Sequence, residues 1–339
     1  MDDLEARPVT ILTGFLGSGK TTFLNELLKH YAEYRFAIIE NEIGQLNIDG
    51  MLLAKNYGQL IELQDGCICC TLNDDLYSAL ETLHEDRDSF DELVIECTGL
   101  AMPSTVMEPF TVHPIFKKYF PLKRVICLID AEFIADQVKE RDEVLRQITA
   151  ADILLINKTE TVHPDYLNDL QTYLLTLNPL ARLFCATSKK QFPFEEIEQV
   201  SYSYNNNKSF SLVENNKLSA IKAKTFSAFG QQHLSDISYR TYIFPGEFNY
   251  IDLFLALSKL VGKHMDRIYR MKGIGYKSDN DKKIVLQTVG FRVDLEYGDY
   301  WEEGEEKTNV LVFIGKKLDQ LNIETLLNQM LKNPTFEKK

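Results

Sequence analysis

The sequence lacks an excess of basic residues, and this absence limits the partners that the protein can have. Lysine and arginine number 37 against 50 aspartate and glutamate, so the formal net charge is −13 over 339 residues. A surface that binds nucleic acid needs clustered positive charge to neutralise the backbone phosphates. We therefore expect no nucleic acid among the main partners of this protein.

Long apolar runs, a leader-like N-terminus and scattered cysteine pairs are also missing. No run approaches the roughly 18–20 residues that a helix needs to cross a bilayer, and the first residues, MDDLE, are acidic. Three of the six cysteines crowd into CICC at 67–70, and Cys97, Cys127 and Cys185 are predicted to lie in apolar surroundings. A disulfide framework is therefore not expected. The sequence predicts a cytoplasmic protein with no membrane partner.

Apolar, strand-like segments alternate with helical segments through the first part of the chain. The predicted buried strands lie at 9–12, 35–40, 59–63, 92–96, 124–130, 152–157 and 182–186. This alternation is typical of a parallel sheet with helices on both faces. Beyond it, six strand-like segments, from 224–229 to 310–314, and two helices indicate a smaller α+β domain. We predict a first domain at 1–197, a linker at 198–222 and a C-terminal domain at 223–339.

The stretch GFLGSGKTT at 14–22 fits the G-x-x-x-x-G-K-[ST] phosphate-loop pattern. It follows an apolar run and leads into a helical pattern, so its glycines can turn backbone N–H groups toward phosphate oxygens. The loop residues predicted to contact the nucleotide are Gly14, Gly17, Ser18, Gly19, Lys20, Thr21 and Thr22. Lys20 is predicted to reach the β- and γ-phosphates and Thr21 to hold Mg²⁺. The alternative is a glycine-rich turn with a solvated lysine, which these flanking segments disfavour.

A carboxylate and a glycine follow the strand predicted at 92–96. Glu96 ends this strand, where acidic residues of phosphate-loop enzymes bind the Mg²⁺ shell directly or through water. The Gly99 N–H is predicted to sense the γ-phosphate. With Lys20 and Thr21, these two residues form the candidate catalytic set. The alternative for Glu96 is a strand-end acid in a salt bridge.

The motif Asn157-Lys158-Thr159-Glu160 resembles the guanine-reading N-K-x-D of GTPases. A carboxylate can accept from the N1–H and the exocyclic amine of guanine, whereas adenine offers neither donor at that edge. Here the acid is Glu160, one methylene longer than the usual Asp. Asn157, Lys158 and Glu160 are predicted to hold GTP, while ATP or mixed use and an unrelated surface turn stay open. The polar segment 41–50 is a candidate nucleotide-sensing switch loop.

Cys67, Cys69 and Cys70 follow Gly66 within four residues. Thiolates suit Zn²⁺, Co²⁺ or Cu(I). A closed structural zinc site would need a second cysteine pair, which the sequence lacks. An open three-thiolate site that hands its metal on therefore fits better, with buried or redox-active thiols as the alternative.

Together these motifs resemble those of the CobW-type metal-chaperone GTPases of the CobW/HypB/UreG superfamily. The matching blocks are GFLGSGKTT at 14–22, ENEIG at 40–44, GCICC at 66–70, ECTGLAMP at 96–103, ADILLINKTE at 151–160, YRMKG at 269–273, LQTVG at 286–290 and VLVFIGKKLD at 310–319. The resemblance implies a phosphate-loop GTPase domain, a CobW-type C-terminal domain, and zinc or cobalt handling by the C-x-C-C cysteines. It also places Glu40 and His113 on metal-contacting positions.

The chain departs from the family pattern at three places. Glu160 replaces Asp, Gln45 stands where some members carry a second metal-binding Glu, and a histidine-rich tract near the second domain is absent. The resemblance implies a Mg²⁺-dependent GTPase that binds Zn²⁺, with Co²⁺ as the second choice, and delivers it to a client metalloprotein. Two rivals stay open: an NTP-dependent chaperone or activator of a metalloenzyme with redox-active cysteines, and a metal sensor with incidental hydrolysis. A homo-oligomer is a further open prediction.

Overall fold

The computed structural model describes residues 6–40, 57–62, 71–187, 192–200 and 237–332, with the backbone alone for 57–62 and 71–74. The chain divides into two compact units, 1–172 with 181–202 and 173–180 with 203–339. The linker predicted at 198–222 lies almost wholly outside the described residues, so the predicted domain limits stay a prediction. Among the helices that the structure describes, none is long and apolar enough to cross a membrane.

Seven parallel strands form the sheet of the first unit, in the order β3-β2-β4-β1-β5-β6-β7. They are β1 (Val9–Thr13), β2 (Phe36–Glu40), β3 (Tyr57–Glu62), β4 (Glu92–Glu96), β5 (Leu122–Asp130), β6 (Ile153–Asn157) and β7 (Arg182–Cys185). The strands β1, β2, β4 and β6 are buried along their whole length, as parallel strands between two helical layers are. The predicted phosphate-loop α/β fold is confirmed.

Eight helices are described in the segments around this sheet. They are α1 (Lys20–His30), α2 (Thr71–Glu85), α3 (Pro103–Val112), α4 (Pro114–Tyr119), α5 (Ile134–Glu140), α6 (Asp142–Ala150), α7 (Pro164–Leu177) and α8 (Phe194–Glu198). The helix α1 buries Phe23, Leu24, Leu27 and Leu28, a stripe with the period of a helix. The sequence does not predict α4, α5 or α8, because helices of six, seven and five residues offer little periodicity to detect.

The register of the parallel strands brings acidic and amide residues into line at the carboxyl edge. Glu40 on β2 pairs with Glu96 on β4 on one side and with Glu62 on β3 on the other. Farther along the same edge, Asp130 on β5 pairs with Asn157 on β6. Ligands bind at this edge in sheets of this kind, so the sheet gathers the predicted site residues from separate parts of the sequence.

Five antiparallel strands form the sheet of the second unit, in the order β11-β10-β9-β12-β8. The elements are β8 (Ile237–Phe244), α9 (Tyr250–Lys263), β9 (Ile268–Lys277), β10 (Asn280–Val289), β11 (Arg292–Tyr300), β12 (Asn309–Lys316) and α10 (Ile323–Gln329). Leu253 and Leu257 of α9 belong to one buried core with Leu286 and Phe313 of the sheet. The predicted α+β domain is confirmed, and the strand predicted at 224–229 lies outside the described residues.

Asn309 is a fully buried asparagine at the start of β12. Its Nδ2 donates to the carbonyl oxygens of Phe244 and Gly246, at 3.1 and 2.7 Å. Its Oδ1 accepts from the Tyr250 hydroxyl at 2.9 Å and from the Tyr276 backbone N–H at 3.3 Å. One side chain thus satisfies polar groups of β8, α9 and β9, and so fixes the corner where these elements meet.

Asn309→Ala should lower the free energy of unfolding of the second unit by roughly 3 kcal/mol, because it leaves several buried donors and acceptors without partners. Tyr250→Phe removes only one hydroxyl from the same cluster and should cost about 1 kcal/mol. Denaturant unfolding followed by hydrogen exchange in β8 and β12 measures both changes. A loss for Asn309→Ala no larger than that for Tyr250→Phe would contradict the role assigned to the asparagine.

Candidate functional site

The phosphate-loop sequence forms a tight loop between β1 and α1. Gly14, Gly17 and Gly19 have positive φ angles of 137°, 77° and 99°. A Cβ atom at Gly19 would lie 2.4 Å from Nδ2 of Asn157. Glycine is therefore required at this position both by the backbone conformation and by the close approach of β6.

Lys20 begins α1 and turns its ammonium group back into the loop. Its Nζ donates to the carbonyl oxygens of Gly14 and Phe15, at 2.9 and 3.4 Å, and the residue is only 6% exposed. A buried ammonium needs acceptors close by. Phosphate oxygens are stronger acceptors than carbonyls, so the position of Lys20 suits a phosphate group.

The buried hydroxyl of Ser18 indicates whether the loop fits a phosphate group. It is 1% exposed, and its buried Oγ has no hydrogen-bond partner among the described residues. A buried hydroxyl without a partner costs free energy. A phosphate oxygen would accept a hydrogen bond from this hydroxyl. The N–H groups at the start of α1 would donate further bonds to the same phosphate. The residues present fit the predicted ligand.

Thr21 and Glu96 meet beside the phosphate loop. The Thr21 hydroxyl donates to Oε1 of Glu96 at 2.9 Å. Glu96 and its register partner Glu40 are both buried, at the ends of neighbouring strands. Hydroxyl and carboxylate oxygens are the ligands that Mg²⁺ prefers, so the residues at this position fit that ion.

Asn157 and Lys158 connect β6 to the phosphate loop. Asn157 Nδ2 donates to the Ser18 carbonyl at 3.0 Å, and Lys158 Nζ donates to the Gly17 carbonyl at 2.8 Å. Lys158 has a positive φ of 58°, and its backbone N–H donates to Asn157 Oδ1 at 2.9 Å. The NKTE motif therefore holds two consecutive carbonyls of the loop.

Asp130 belongs to no sequence motif, but it lies at the candidate site. Its Oδ2 accepts from Lys158 Nζ at 2.7 Å, and its Oδ1 accepts from the Glu132 backbone N–H at 3.0 Å. The carboxylate is buried at the end of β5, in register with Asn157. The sequence signal for it is an acid that ends an apolar strand, the same signal that identifies Glu96. Asp130 fixes Lys158 against the loop.

Glu160 lies in a short 3₁₀ turn, Thr159–Thr161, directly after Lys158. The backbone N–H and the hydroxyl of Thr159 both donate to the Ala186 carbonyl, at 3.2 and 3.0 Å, so the turn is held at the end of β7. Glu160 itself is exposed. An exposed carboxylate at this edge is accessible to a base, and its role in base recognition stays a prediction.

The predicted metal ligands are only partly described. Cys67, Cys69 and Cys70 and the switch loop 41–50 lie outside the described residues. His113 is half-buried at the start of α4, where its Nδ1 accepts from the Phe116 N–H at 3.5 Å. Within the parts of the chain that the structure describes, no three His, Cys, Asp or Glu side chains are grouped to hold a metal ion. The metal site stays a prediction.

A cavity of about 160 Å³ lies at the opposite edge of the sheet. Thr10, Phe36, Glu92 and Arg124, all near the starts of their strands, line it together with side chains of α1 and α8. The starts of parallel strands lie at the amino edge, whereas the phosphate loop follows the end of β1. This cavity is therefore separate from the candidate site.

Two buried cysteines lie on either side of β1. The Cys97 N–H donates to the Leu12 carbonyl at 2.9 Å, and Cys127 is the register partner of Thr13. Burial raises the pKa of both thiols to about 12, and the Lys20 ammonium opposes the shift. The prediction of apolar surroundings is wrong for Cys185, which is exposed because it ends β7 at the edge of the sheet.

Native protein should therefore resist alkylation at Cys97 and Cys127. A raised pKa keeps a thiol protonated, so at pH 8 about one in 10⁴ of these groups is ionised, against roughly a quarter at the ordinary pKa near 8.5. Iodoacetamide labelling at pH 8, read by peptide mass spectrometry, measures this. Exposed Cys185, whose pKa burial also raises, is the internal control. Labelling of Cys97 as fast as that of Cys185 before unfolding would contradict the assignment.

The chain matches two family models: the CobW/HypB/UreG nucleotide-binding domain over residues 8–184, and the cobalamin synthesis protein cobW C-terminal domain over residues 237–331. It is 30% identical over 320 residues to the zinc chaperone YjiA of Escherichia coli, covering 93% of this chain and 96% of that protein. It is also 30% identical over 259 residues to the zinc-regulated GTPase metalloprotein activator 1 of Schizosaccharomyces pombe, covering 71% of this chain and 63% of that protein.

A solved structure has the same overall fold. The crystal structure of Zn(II)-bound YjiA GTPase from E. coli is similar with a TM-score of 0.67 at 23% identity, over 97% of this chain and 100% of that chain. At this identity the likeness bears on the fold alone. The two family matches and the near full-length similarity to YjiA confirm the resemblance of the sequence motifs. The chain belongs to the CobW/HypB/UreG family and carries a CobW C-terminal domain.

Proposed function

We propose that this protein is a Mg²⁺-dependent GTPase that binds zinc and delivers it to a client metalloprotein. One observation carries the proposal: Asn157 and Lys158 donate to the carbonyls of Ser18 and Gly17. These bonds hold the NKTE motif against the glycine-rich loop, and in this proposal the loop binds the phosphates while the motif reads the base. The names of two relatives, a zinc chaperone and a zinc-regulated GTPase metalloprotein activator, support the same function.

In this proposal the chain contributes position and charge to phosphoryl transfer from GTP to water. Lys20 exchanges its bonds to loop carbonyls for bonds to the β- and γ-phosphates, and Gly99 donates its N–H to the γ-phosphate. Thr21 and Glu96 would hold Mg²⁺, with Glu40 on the neighbouring strand. Bound Mg²⁺ supplies positive charge that neutralises the phosphate oxygens. Preorganised donors of this kind act mainly by electrostatic stabilisation.

Guanine specificity rests on Glu160, supported by the way its neighbours are held. Lys158 is fixed by Asp130 and Gly17, and Thr159 is fixed by Ala186. Glu160 thus extends from a turn that is held by the two residues that precede it. Its carboxylate would accept the N1–H and the amine of guanine, and adenine would leave it without donors.

Zinc is the cargo in this proposal, and Cys67, Cys69 and Cys70 bind it with Glu40 and His113. Glu40 links the two sites, because it ends β2 in register with Glu96 and directly precedes the predicted switch loop 41–50. A reducing, cytoplasmic compartment is part of the proposal, since the cysteines that the structure describes are free thiols.

Lys20→Ala should lower the kcat for GTP at least about 100-fold while preserving the fold, because it removes a donor to the transferred phosphate. Lys29→Ala is the matched control, since Lys29 lies on the same helix, bonds to Glu26 and is exposed. Phosphate release and circular dichroism measure the two effects. Normal turnover by folded Lys20→Ala protein would overturn the phosphate-loop assignment.

Guanine specificity has a separate test. Equal turnover of GTP and ATP by the unmutated protein would overturn it.

Zinc affinity should differ between the GTP and GDP states, because Glu40 is shared between the zinc ligands and the edge that holds the nucleotide. A coupling of about 1–3 kcal/mol corresponds to roughly 5–150-fold in affinity, and it is reciprocal. Competitive zinc titrations of reduced protein, with GDP and with a non-hydrolysable GTP analogue, measure it. Equal zinc affinities in the two states would mean that the sites act independently.

A further inference from the structure

Gln147 is a fully buried polar residue on α6 that reaches the turn after β4. Its Nε2 donates to the carbonyl oxygens of Gly99 and Ala101, at 3.0 and 3.2 Å, and the residue is 0% exposed. Its helical neighbours Val144 and Ile148 are buried apolar residues. An apolar side chain at position 147 would pack with them at no desolvation cost, so packing alone does not explain a glutamine there.

The side-chain amide of Gln147 faces the turn with its nitrogen and not with its oxygen. Both carbonyls require a donor, so the nitrogen faces them, while the buried Oε1 accepts no hydrogen bond from the described residues. Leaving that oxygen without a donor costs free energy. This cost is tolerated where the two bonds to the turn are needed.

These two bonds fix the turn that contains Gly99. The turn is closed by a bond from the Ala101 N–H to the Thr98 carbonyl, at 3.1 Å. Because each peptide unit is planar, holding the carbonyls of Gly99 and Ala101 fixes the planes of the units 99–100 and 101–102. The Gly99 N–H belongs to the unit before them, whose Thr98 carbonyl is held by the Ala101 N–H of the same turn. Gln147 therefore restricts the rotation of the turn as a whole.

The turn lies directly against the phosphate loop. A Cβ atom at Gly99 would be 2.6 Å from the backbone nitrogen of Leu16 and 2.6 Å from its Cγ. Only glycine allows the two backbones to approach this closely. A small rotation of the turn would therefore move the Gly99 N–H relative to the loop that receives the phosphates.

We propose that Gln147 is a positioning residue for hydrolysis, which holds the Gly99 N–H in the orientation that meets the γ-phosphate. The inference rests on the proposed function, in which Gly99 contacts that phosphate. Gln147 acts through Gly99 and does not touch the nucleotide. Binding and hydrolysis of GTP therefore depend on Gln147, and binding of GDP does not, because only GTP has a γ-phosphate.

Gln147→Met tests the inference, because it keeps the length and volume of the side chain and removes the donors. We expect kcat for GTP to fall about tenfold or more, the affinity for a non-hydrolysable GTP analogue to fall with it, and the affinity for GDP to change less than about twofold. Thr149→Val is the control. It removes a buried hydroxyl on the same helix, which donates to the Arg146 carbonyl at 3.2 Å and does not bond to the turn. It should lower the melting temperature without changing kcat.

Gln147→Glu gives a second readout that does not depend on the methionine variant folding. A buried carboxyl beside two carbonyl oxygens has a raised pKa. Below that pKa its O–H can donate one bond to the turn, and above it the carboxylate repels both carbonyls. The activity of Gln147→Glu relative to the unmutated protein should therefore rise as the pH falls from 8 to 6.

Distinct outcomes overturn the inference and the function on which it rests. If the unmutated protein hydrolyses GTP and Gln147→Met changes only the melting temperature, the residue is structural and the inference is wrong. An equal loss of affinity for GDP and for the GTP analogue would also overturn it, since the effect would not then depend on the γ-phosphate. If the unmutated protein does not hydrolyse GTP, the proposed function fails and the inference fails with it.

Discussion

The nucleotide edge depends on the bonds from the end of β6 to the phosphate loop. Three glycines with positive φ give this loop its shape, but glycine loses more conformational entropy on ordering than any other residue. The bonds of Lys20 to the carbonyls of Gly14 and Phe15 supply part of the order, and the rest comes from outside the loop. Asn157 and Lys158 supply it by holding the carbonyls of Ser18 and Gly17, and the buried Asp130 holds Lys158 in turn. In this way a strand two places away from β1 determines where the phosphate loop lies.

The same edge also concentrates negative charge. Glu40 and Glu96 are buried on neighbouring strands, in register, and the Thr21 hydroxyl donates to one of them. Buried carboxylates on neighbouring strands repel each other in a medium of low dielectric constant. A divalent cation beside them would offset that repulsion. The position of Glu40 at the end of β2 would therefore depend on whether a cation and a nucleotide are bound at this edge. Because Glu40 directly precedes the predicted switch loop 41–50, a change at its carboxylate would reach that loop.

Much of the fold can be predicted from the sequence, because its signals are local. Strands such as ILLIN at 153–157 are almost wholly apolar, and the GFLGSGKTT loop joins a strand to a helix. The helices α5 and α8 are too short to show a period, and Cys185 appears buried in sequence although its strand lies at the sheet edge. Asp130 and Gln147 belong to no motif, since their partners, Lys158 and the turn at Gly99, are distant in the chain.

Asp130 and Gln147 share one physical property, which distinguishes them from the motif residues. Each is a buried polar side chain next to apolar residues of its own strand or helix, and each bonds to a segment that belongs to the predicted nucleotide site. A buried polar group reduces stability unless its bonds compensate for the lost water. The bonds of these two residues hold Lys158 and the turn at Gly99, which glycine-rich backbone alone would leave free to rotate. In the proposed function the motifs therefore supply the groups that meet the nucleotide, and buried polar residues outside the motifs supply the rigidity that makes those groups effective.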